Sequence, residues 1–96
     1  MIAILKTISF PLGQIVATPA ALKALEQAGQ LPAEFLQRHS QGDWGDICNE
    51  DWQLNDQSLE QGMRILSAYH LNSGVQIWII TEADRSATTI LLPEDY

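Results

Sequence analysis

Residues 63–93, MRILSAYHLNSGVQIWIITEADRSATTILLP, hold most of the strong β-strand formers of the chain, with two turn signals between them. Runs rich in Val, Ile, Thr and aromatic residues, separated by short segments with Gly, Asn or Asp, are typical of antiparallel strands. The sequence therefore predicts three consecutive strands, over 63–71, 75–81 and 86–92.

The middle strand, 75–81, is apolar on both of its faces. Val75, Ile77 and Ile79 point to one face, and Trp78 and Ile80 to the other. A strand of this kind is buried on both sides. We therefore expect it to be central, with Trp78, Ile79 and Ile80 largely buried. The N-terminal helices cover one face; loops, an N-terminal strand or a second protein chain are the alternatives for the other.

The segment before the strands has helix signals. After a short strand over 13–18, Thr18 and Pro19 form an N-cap and a first helical residue, and Gly29 is a stop. Leu22, Leu25 and Ala28 are predicted to share the buried face of this first helix.

Two further helices are predicted. One begins at Pro32, with Phe35 and Leu36 in its buried stripe; the other begins after Asn49 as N-cap and ends at Gly62, with Ile47 and Cys48 returning to the core before it. The predicted fold class is α+β, with about three N-terminal helices packed on an antiparallel sheet of three to four strands, in a single domain.

Composition excludes several classes of function. The 96 residues have a formal net charge of −7 and one cysteine, Cys48. One cysteine forms no intrachain disulfide and no thiolate cluster, and the net charge repels a phosphate backbone. The chain has no signal peptide pattern, no run long enough to span a bilayer, and no glycine-rich nucleotide motif. We expect a cytoplasmic protein without cofactor or metal.

The acidic residues are concentrated in one segment. Between His39 and Met63 there is no Lys or Arg, while six carboxylates occur: Asp43, Asp46, Glu50, Asp51, Asp56 and Glu60. This pattern is typical of a solvated helix face, or of a docking surface for a basic protein partner. In the second interpretation Trp52 is the candidate anchor, because aromatic residues dominate interface hot spots.

Two residues in this region have a structural and a functional interpretation. Trp44 lies between two glycines in the loop SQGDWGD, 40–46. This pattern indicates either a turn held in place by a Trp44 indole that packs inward, or a loop that contacts a ligand. Asn55 lies on the apolar side of the third helix and needs hydrogen-bond partners there. We expect both to be structural.

An enzyme is the alternative. Metal-independent RNA cleavage needs a histidine, a cation for the phosphate and hydroxyl donors. The candidate catalytic residues are His39, Arg64, Ser67, Tyr69, Arg85 and Thr88, with Ser86 and Thr89 near them. The order of elements resembles the layout of barnase, colicins and RelE-like toxins, although such toxins usually surround their site with Lys and Arg.

A resemblance at the level of sequence covers nearly the whole chain from Phe10. It is carried by GQIVATPAALKALEQAG (13–29), FLQRHSQGDWGD (35–46), RILSAY (64–69) and ITEADRSATTILLPEDY (80–96). These segments resemble a family of short bacterial proteins found often on plasmids and integrated elements. Some members are labelled type I restriction endonuclease subunit M, but the chain is too short for a methyltransferase domain and lacks its glycine motif. The resemblance implies a mobile-element habitat.

A small, acidic, cysteine-poor protein of that habitat is similar in profile to inhibitors of host defence, including anti-restriction and anti-CRISPR proteins. The sequence thus favours a protein-binding module that inhibits or regulates a nucleic-acid-binding defence protein. A homodimer is left open.

Overall fold

The computed structural model describes residues 10–96, and this part of the chain contains three α-helices and four β-strands. In chain order the elements are β1 (Gln14–Ala17), α1 (Pro19–Ala28), α2 (Pro32–Ser40), α3 (Asn49–Gln61), β2 (Ile65–His70), β3 (Gln76–Thr81), β4 (Ala87–Leu91) and a closing 3-10 turn (Pro93–Asp95). The α+β class is confirmed. No helix within 10–96 is long and apolar enough to cross a membrane.

The four strands form one sheet in the order β1-β4-β3-β2. β3 pairs with β2 and β4, both antiparallel, so the predicted meander and the central position of β3 are confirmed. The sheet as a whole is mixed, not antiparallel, because β1 pairs with β4 in parallel. A parallel pair needs a long crossover, and α1 to α3 with β2 and β3 supply it. The helices are therefore inserted between strands and are not strictly N-terminal.

The predicted helix ends agree with the structure except at α3. Thr18 Oγ1 accepts a hydrogen bond from the Ala21 amide at 3.2 Å, and Gly29 and Gly62 adopt left-handed backbone at the other helix ends. At α3 the N-cap is Cys48, whose backbone is extended and whose carbonyl accepts the Trp52 amide. Asn49 is therefore the first helical residue, and Cys48 is exposed, not part of the core.

One face of the sheet is covered by α1 and α2. The buried cluster on this face comprises Ala21, Ala24, Leu25, Phe35, Tyr69, Leu71, Ile77, Ile79 and Ile90. Leu22, predicted to share the buried face of α1, is 47% exposed. Ala21 and Ala24 lie on the buried face of α1 instead, because their small side chains let the helix approach the sheet closely.

Within residues 10–96 the opposite face carries no α-helix. Ile80 and Leu91 are buried there, whereas Trp78, predicted to be largely buried, is half-buried. The closing turn covers part of this face, with the Tyr96 ring 5.8 Å from the Trp78 ring. We call it the helix-free face.

The outer edge of β2 is occupied by polar groups of the preceding segment. Asn55 Nδ2 donates to the Leu66 carbonyl at 2.6 Å, and Asn55 Oδ1 accepts the Leu66 amide at 3.3 Å. Two residues on, the Ala68 amide donates to the Trp44 carbonyl, and the Asp46 amide donates to the Ala68 carbonyl. These bonds close an edge that would otherwise be open to another strand.

Candidate functional site

Four polar side chains form a buried chain of hydrogen bonds on the helix-covered face. His39 Nδ1 lies 2.5 Å from Ser67 Oγ, and its Nε2 lies 2.8 Å from Thr81 Oγ1. Thr81 Oγ1 is 2.8 Å from Thr88 Oγ1, and Thr88 donates to the Leu12 carbonyl at 2.7 Å. All four side chains belong to residues that are fully buried. We call this set, His39, Ser67, Thr81 and Thr88, the His39 network.

The order of donors in the His39 network follows from its one fixed end. Because Thr88 gives its single proton to a carbonyl, the Thr81 hydroxyl must donate to Thr88. His39 Nε2 must then donate to Thr81, and in the neutral ring Nδ1 accepts from Ser67. A neutral imidazole therefore satisfies every member of the network.

The surroundings of His39 favour the same neutral form. Its ring meets Phe10 and Trp44 edge on, at centroid distances of 5.4 and 5.7 Å. Burial among these groups, and secondarily the charge of Arg85, lower the His39 pKa to about 4. At neutral pH this imidazole carries no positive charge and has no contact with solvent.

Arg85, a candidate phosphate ligand, is tied to backbone. Its guanidinium donates to four carbonyls, those of Ser58, Met63, Glu82 and Ala83. It also lies over the Phe10 ring, 5.7 Å from the centroid, and its own backbone is left-handed at φ 61°. These contacts join the end of α3 to the turn before β4.

The other enzyme candidates are divided between the two faces of the sheet. Tyr69 is buried and donates its hydroxyl to the Asp43 carbonyl at 2.6 Å; burial raises its pKa. Arg64 is exposed and lies 5.1 Å from the centroid of the Tyr96 ring, by the helix-free face. The fold thus brings His39, Ser67 and Thr88 into one network, while Arg64 is outside it.

Three of the six acidic residues have partners that the sequence did not reveal. Arg38 binds Asp43 through two hydrogen bonds, of 2.7 and 3.3 Å, and this pairing lowers the Asp43 pKa. Asp46 lies 2.9 Å from His70 Nδ1. Asp56 accepts the Trp44 indole N–H at 2.9 Å. The segment between His39 and Met63 lacks Lys and Arg, but the fold brings Arg38 and His70 from outside this segment next to two of its carboxylates.

Glu50, Asp51 and Glu60, which we call the α3 carboxylates, are different. All three are exposed, and within residues 10–96 none has a salt bridge or a side-chain hydrogen bond. Their negative charge is therefore directed to solvent along α3. No group of three His, Cys, Asp or Glu side chains in the described ranges is arranged to hold a metal ion.

Trp52, the predicted anchor, is half-buried. It packs against a second core cluster of Phe10, Trp44 and Ile65, so only part of its indole faces solvent. Leu54, in contrast, is 56% exposed on the same helix. Sequence reasoning missed Leu54, although its spacing of three residues from Asp51 and four from Ser58 places these side chains on one side of α3.

Two clefts adjoin α3 and the helix-free face. The first, of about 340 Å³, is lined by Asp51, Leu54, Asn55, Ser58, Arg64 and Leu66. The second, of about 160 Å³, is lined by Arg64, Ile80, Glu82, Thr89, Leu91 and Tyr96. Arg64 borders both. Each cleft is lined by residues from elements that are distant in sequence. No sequence motif therefore predicts either cleft.

No protein-family model, curated protein or solved structure matches the chain.

Proposed function

We propose that this protein is a protein-binding module that recognises a basic, nucleic-acid-binding partner and inhibits or regulates it. The observation that carries the proposal is the contrast between two groups of residues. The α3 carboxylates are exposed and without a salt bridge in the described part of the chain, whereas His39, the candidate general base, is fully buried. The resemblance to mobile-element proteins supports a host defence protein as the partner.

The physical basis is electrostatic steering. A negative potential raises the association rate with a positively charged protein, and salt weakens the effect because the Debye length falls from about 10 Å at 0.1 M to about 3 Å at 1 M. The net charge of −7 adds to the local field of α3. An acidic surface of this kind competes with nucleic acid for the same basic site.

The structure decides which carboxylates are suitable for a test. Asp43 and Asp56 hold Arg38 and the Trp44 indole, so changing either would alter packing as well as charge. The α3 carboxylates avoid this problem. Neutralising Glu50 and Asp51 removes a favourable interaction with the helix N-terminus, worth about 0.3–1 kcal/mol each, so thermal melts must accompany the binding data.

The test uses the triple variant Glu50→Gln, Asp51→Asn and Glu60→Gln. Its matched control is Glu26→Gln, Glu34→Gln and Glu94→Gln, which has the same net charge and changes exposed carboxylates outside α3. Each protein serves as bait in a bacterial lysate, and captured proteins are identified by mass spectrometry. Association rates with the purified partner are then measured at about 0.1 and 1 M salt.

We expect the α3 variant to associate more slowly than the control, with a weaker dependence on salt. Equal rates and equal salt dependence in the two variants would mean that α3 is only a solvated helix face. In that case the proposal fails.

A further inference from the structure

We propose that the two clefts joined at Arg64 form one groove, and that this groove holds a cationic amphipathic helix of the partner. We call it the α3-sheet groove. The inference rests on the proposed function and deepens it, because the α3 carboxylates attract a basic partner but provide no apolar contact to retain it.

The floor of the groove consists of two apolar side chains and one threonine on neighbouring strands. Leu66 of β2 is in register with Ile80 of β3, which is in register with Thr89 of β4. Three side chains in a row across neighbouring strands span about 10 Å, since strands lie about 4.8 Å apart. Leu54, 56% exposed, extends the row onto α3. This length is similar to the diameter of an α-helix, about 10 Å.

The wall of the groove is held in place by contacts within the chain. Arg64 stacks on the Tyr96 ring and donates a hydrogen bond to its hydroxyl. Tyr96 in turn contacts Trp78, and Thr18 donates to Asp95 at 2.7 Å, which fixes the closing turn. A wall that is ordered before binding lowers the entropic cost of association.

The charges around the groove select a cationic occupant. Asp51 borders the first cleft and Glu82 borders the second. Arg64, which lies between them, keeps its positive charge while it donates to Tyr96, so Asp51, Glu82 and Arg64 together give the rim an excess of negative charge. A second copy of this chain would bring another net charge of −7 to a rim that is already acidic. Lysine or arginine side chains at the margin of an apolar stripe match the rim and the floor together.

This combination corresponds to helix-in-groove recognition, in which apolar residues spaced i, i+3, i+4 and i+7 occupy the floor. The cationic residues of the partner helix would face Asp51 and Glu82.

The experiment uses full-length protein and defined peptides of about 14 residues, about 21 Å long as a helix. The first probe is an amidated Leu/Lys peptide with an amphipathic helical pattern. The second has the same composition in a scrambled order, and the third has Glu in place of Lys. Calorimetry measures the dissociation constants for the parent, for Leu54→Ser, for Tyr96→Ser and for the control Leu31→Ser, at a residue 72% exposed in the α1 to α2 connection.

We expect the patterned Leu/Lys peptide to bind most tightly. Leu54→Ser and Tyr96→Ser should each weaken that binding about five- to tenfold, a typical effect of removing an apolar anchor, while Leu31→Ser leaves it unchanged. In amide NMR spectra, the patterned peptide should shift the signals of Leu54, Leu66 and Ile80.

Each of the following binding results would overturn the proposal: equal binding of the scrambled peptide, equal binding of the Glu peptide, unchanged affinity in Leu54→Ser, or shifts confined to the exposed apolar residues Ile15, Val16 and Leu22. Nuclear Overhauser contacts from the Leu54 methyl groups to residues 1–9 would identify the chain itself as the occupant and would also overturn it. If only the groove proposal is wrong, the α3 variant still associates with the partner more slowly and with a weaker salt dependence than its control. If the proposed function is wrong, the α3 variant and its control do not differ.

Discussion

His39 is a titratable residue whose burial favours the neutral form. Its two ring nitrogens bond Ser67 and Thr81, and the order of donors that begins at Thr88 makes Nε2 a donor to Thr81. Protonation would make the Ser67 hydroxyl turn to accept from Nδ1, and it would place a positive charge in a site without solvent contact. The network therefore makes stability depend on pH.

We predict that the protein loses stability as the pH falls from about 6.5 toward 4. The unfolded imidazole has its ordinary pKa of 6.5, whereas burial lowers the folded pKa to about 4. The unfolded state therefore binds a proton first, and the loss reaches at most about 3 kcal/mol. Urea melts at pH values of about 7.5, 6.5 and 5.5 measure this effect above the range in which carboxylates titrate.

The control is His70→Gln, because His70 is exposed and lies beside Asp46. The pH slope should persist in His70→Gln and disappear in His39→Gln, whatever the absolute stability of each variant. A slope retained in His39→Gln would contradict the assignment.

At the scale of elements, α3 and the loop before it protect the edge of β2. Asn55 pairs with both backbone groups of Leu66, and residues 44–46 pair with those of Ala68. Gly45 is essential to this approach, since a Cβ there would lie 2.1 Å from the Ala68 carbonyl oxygen. The loop is thus an extension of the sheet.

We predict that Asn55→Ala destabilises the fold by about 1–3 kcal/mol, because it leaves the part-buried amide and carbonyl of Leu66 without their side-chain partners. Equilibrium denaturation measures the change. Gln57→Ala, at an exposed position of the same helix, is the control and should have little effect. A variant that melts like the parent but loses partner binding would make Asn55 a site residue.

At the scale of the molecule, the residues proposed for RNA cleavage are not placed where they could act on an RNA strand. The candidate base is buried, the candidate phosphate ligand Arg85 bonds backbone carbonyls, and the net charge is −7. An RNA strand would meet repulsion at the surface and would have no access to His39.

We accordingly predict that purified protein does not cleave RNA in the presence of a chelator. The measurement is gel analysis of a labelled RNA after long incubation, with His39→Gln and Arg85→Gln as companions. Metal-independent cleavage that either substitution abolishes would replace the binding proposal by the enzyme alternative.

Local physics made much of the fold predictable from sequence. The β-rich segments with their turns predicted β2, β3 and β4, and Thr18, Gly29 and Gly62 marked helix ends because capping depends on a few neighbouring residues.

Tertiary structure decided what depends on contacts across long stretches of sequence. The parallel pairing of β1 with β4 joins residues more than seventy positions apart, and no local pattern specifies it. The same holds for the closure of the His39 network, the partners of Asp43 and Asp46, and the exposure of Leu54 beside the groove. A sequence specifies which side chains can bond or pack, but only the fold determines which of them meet.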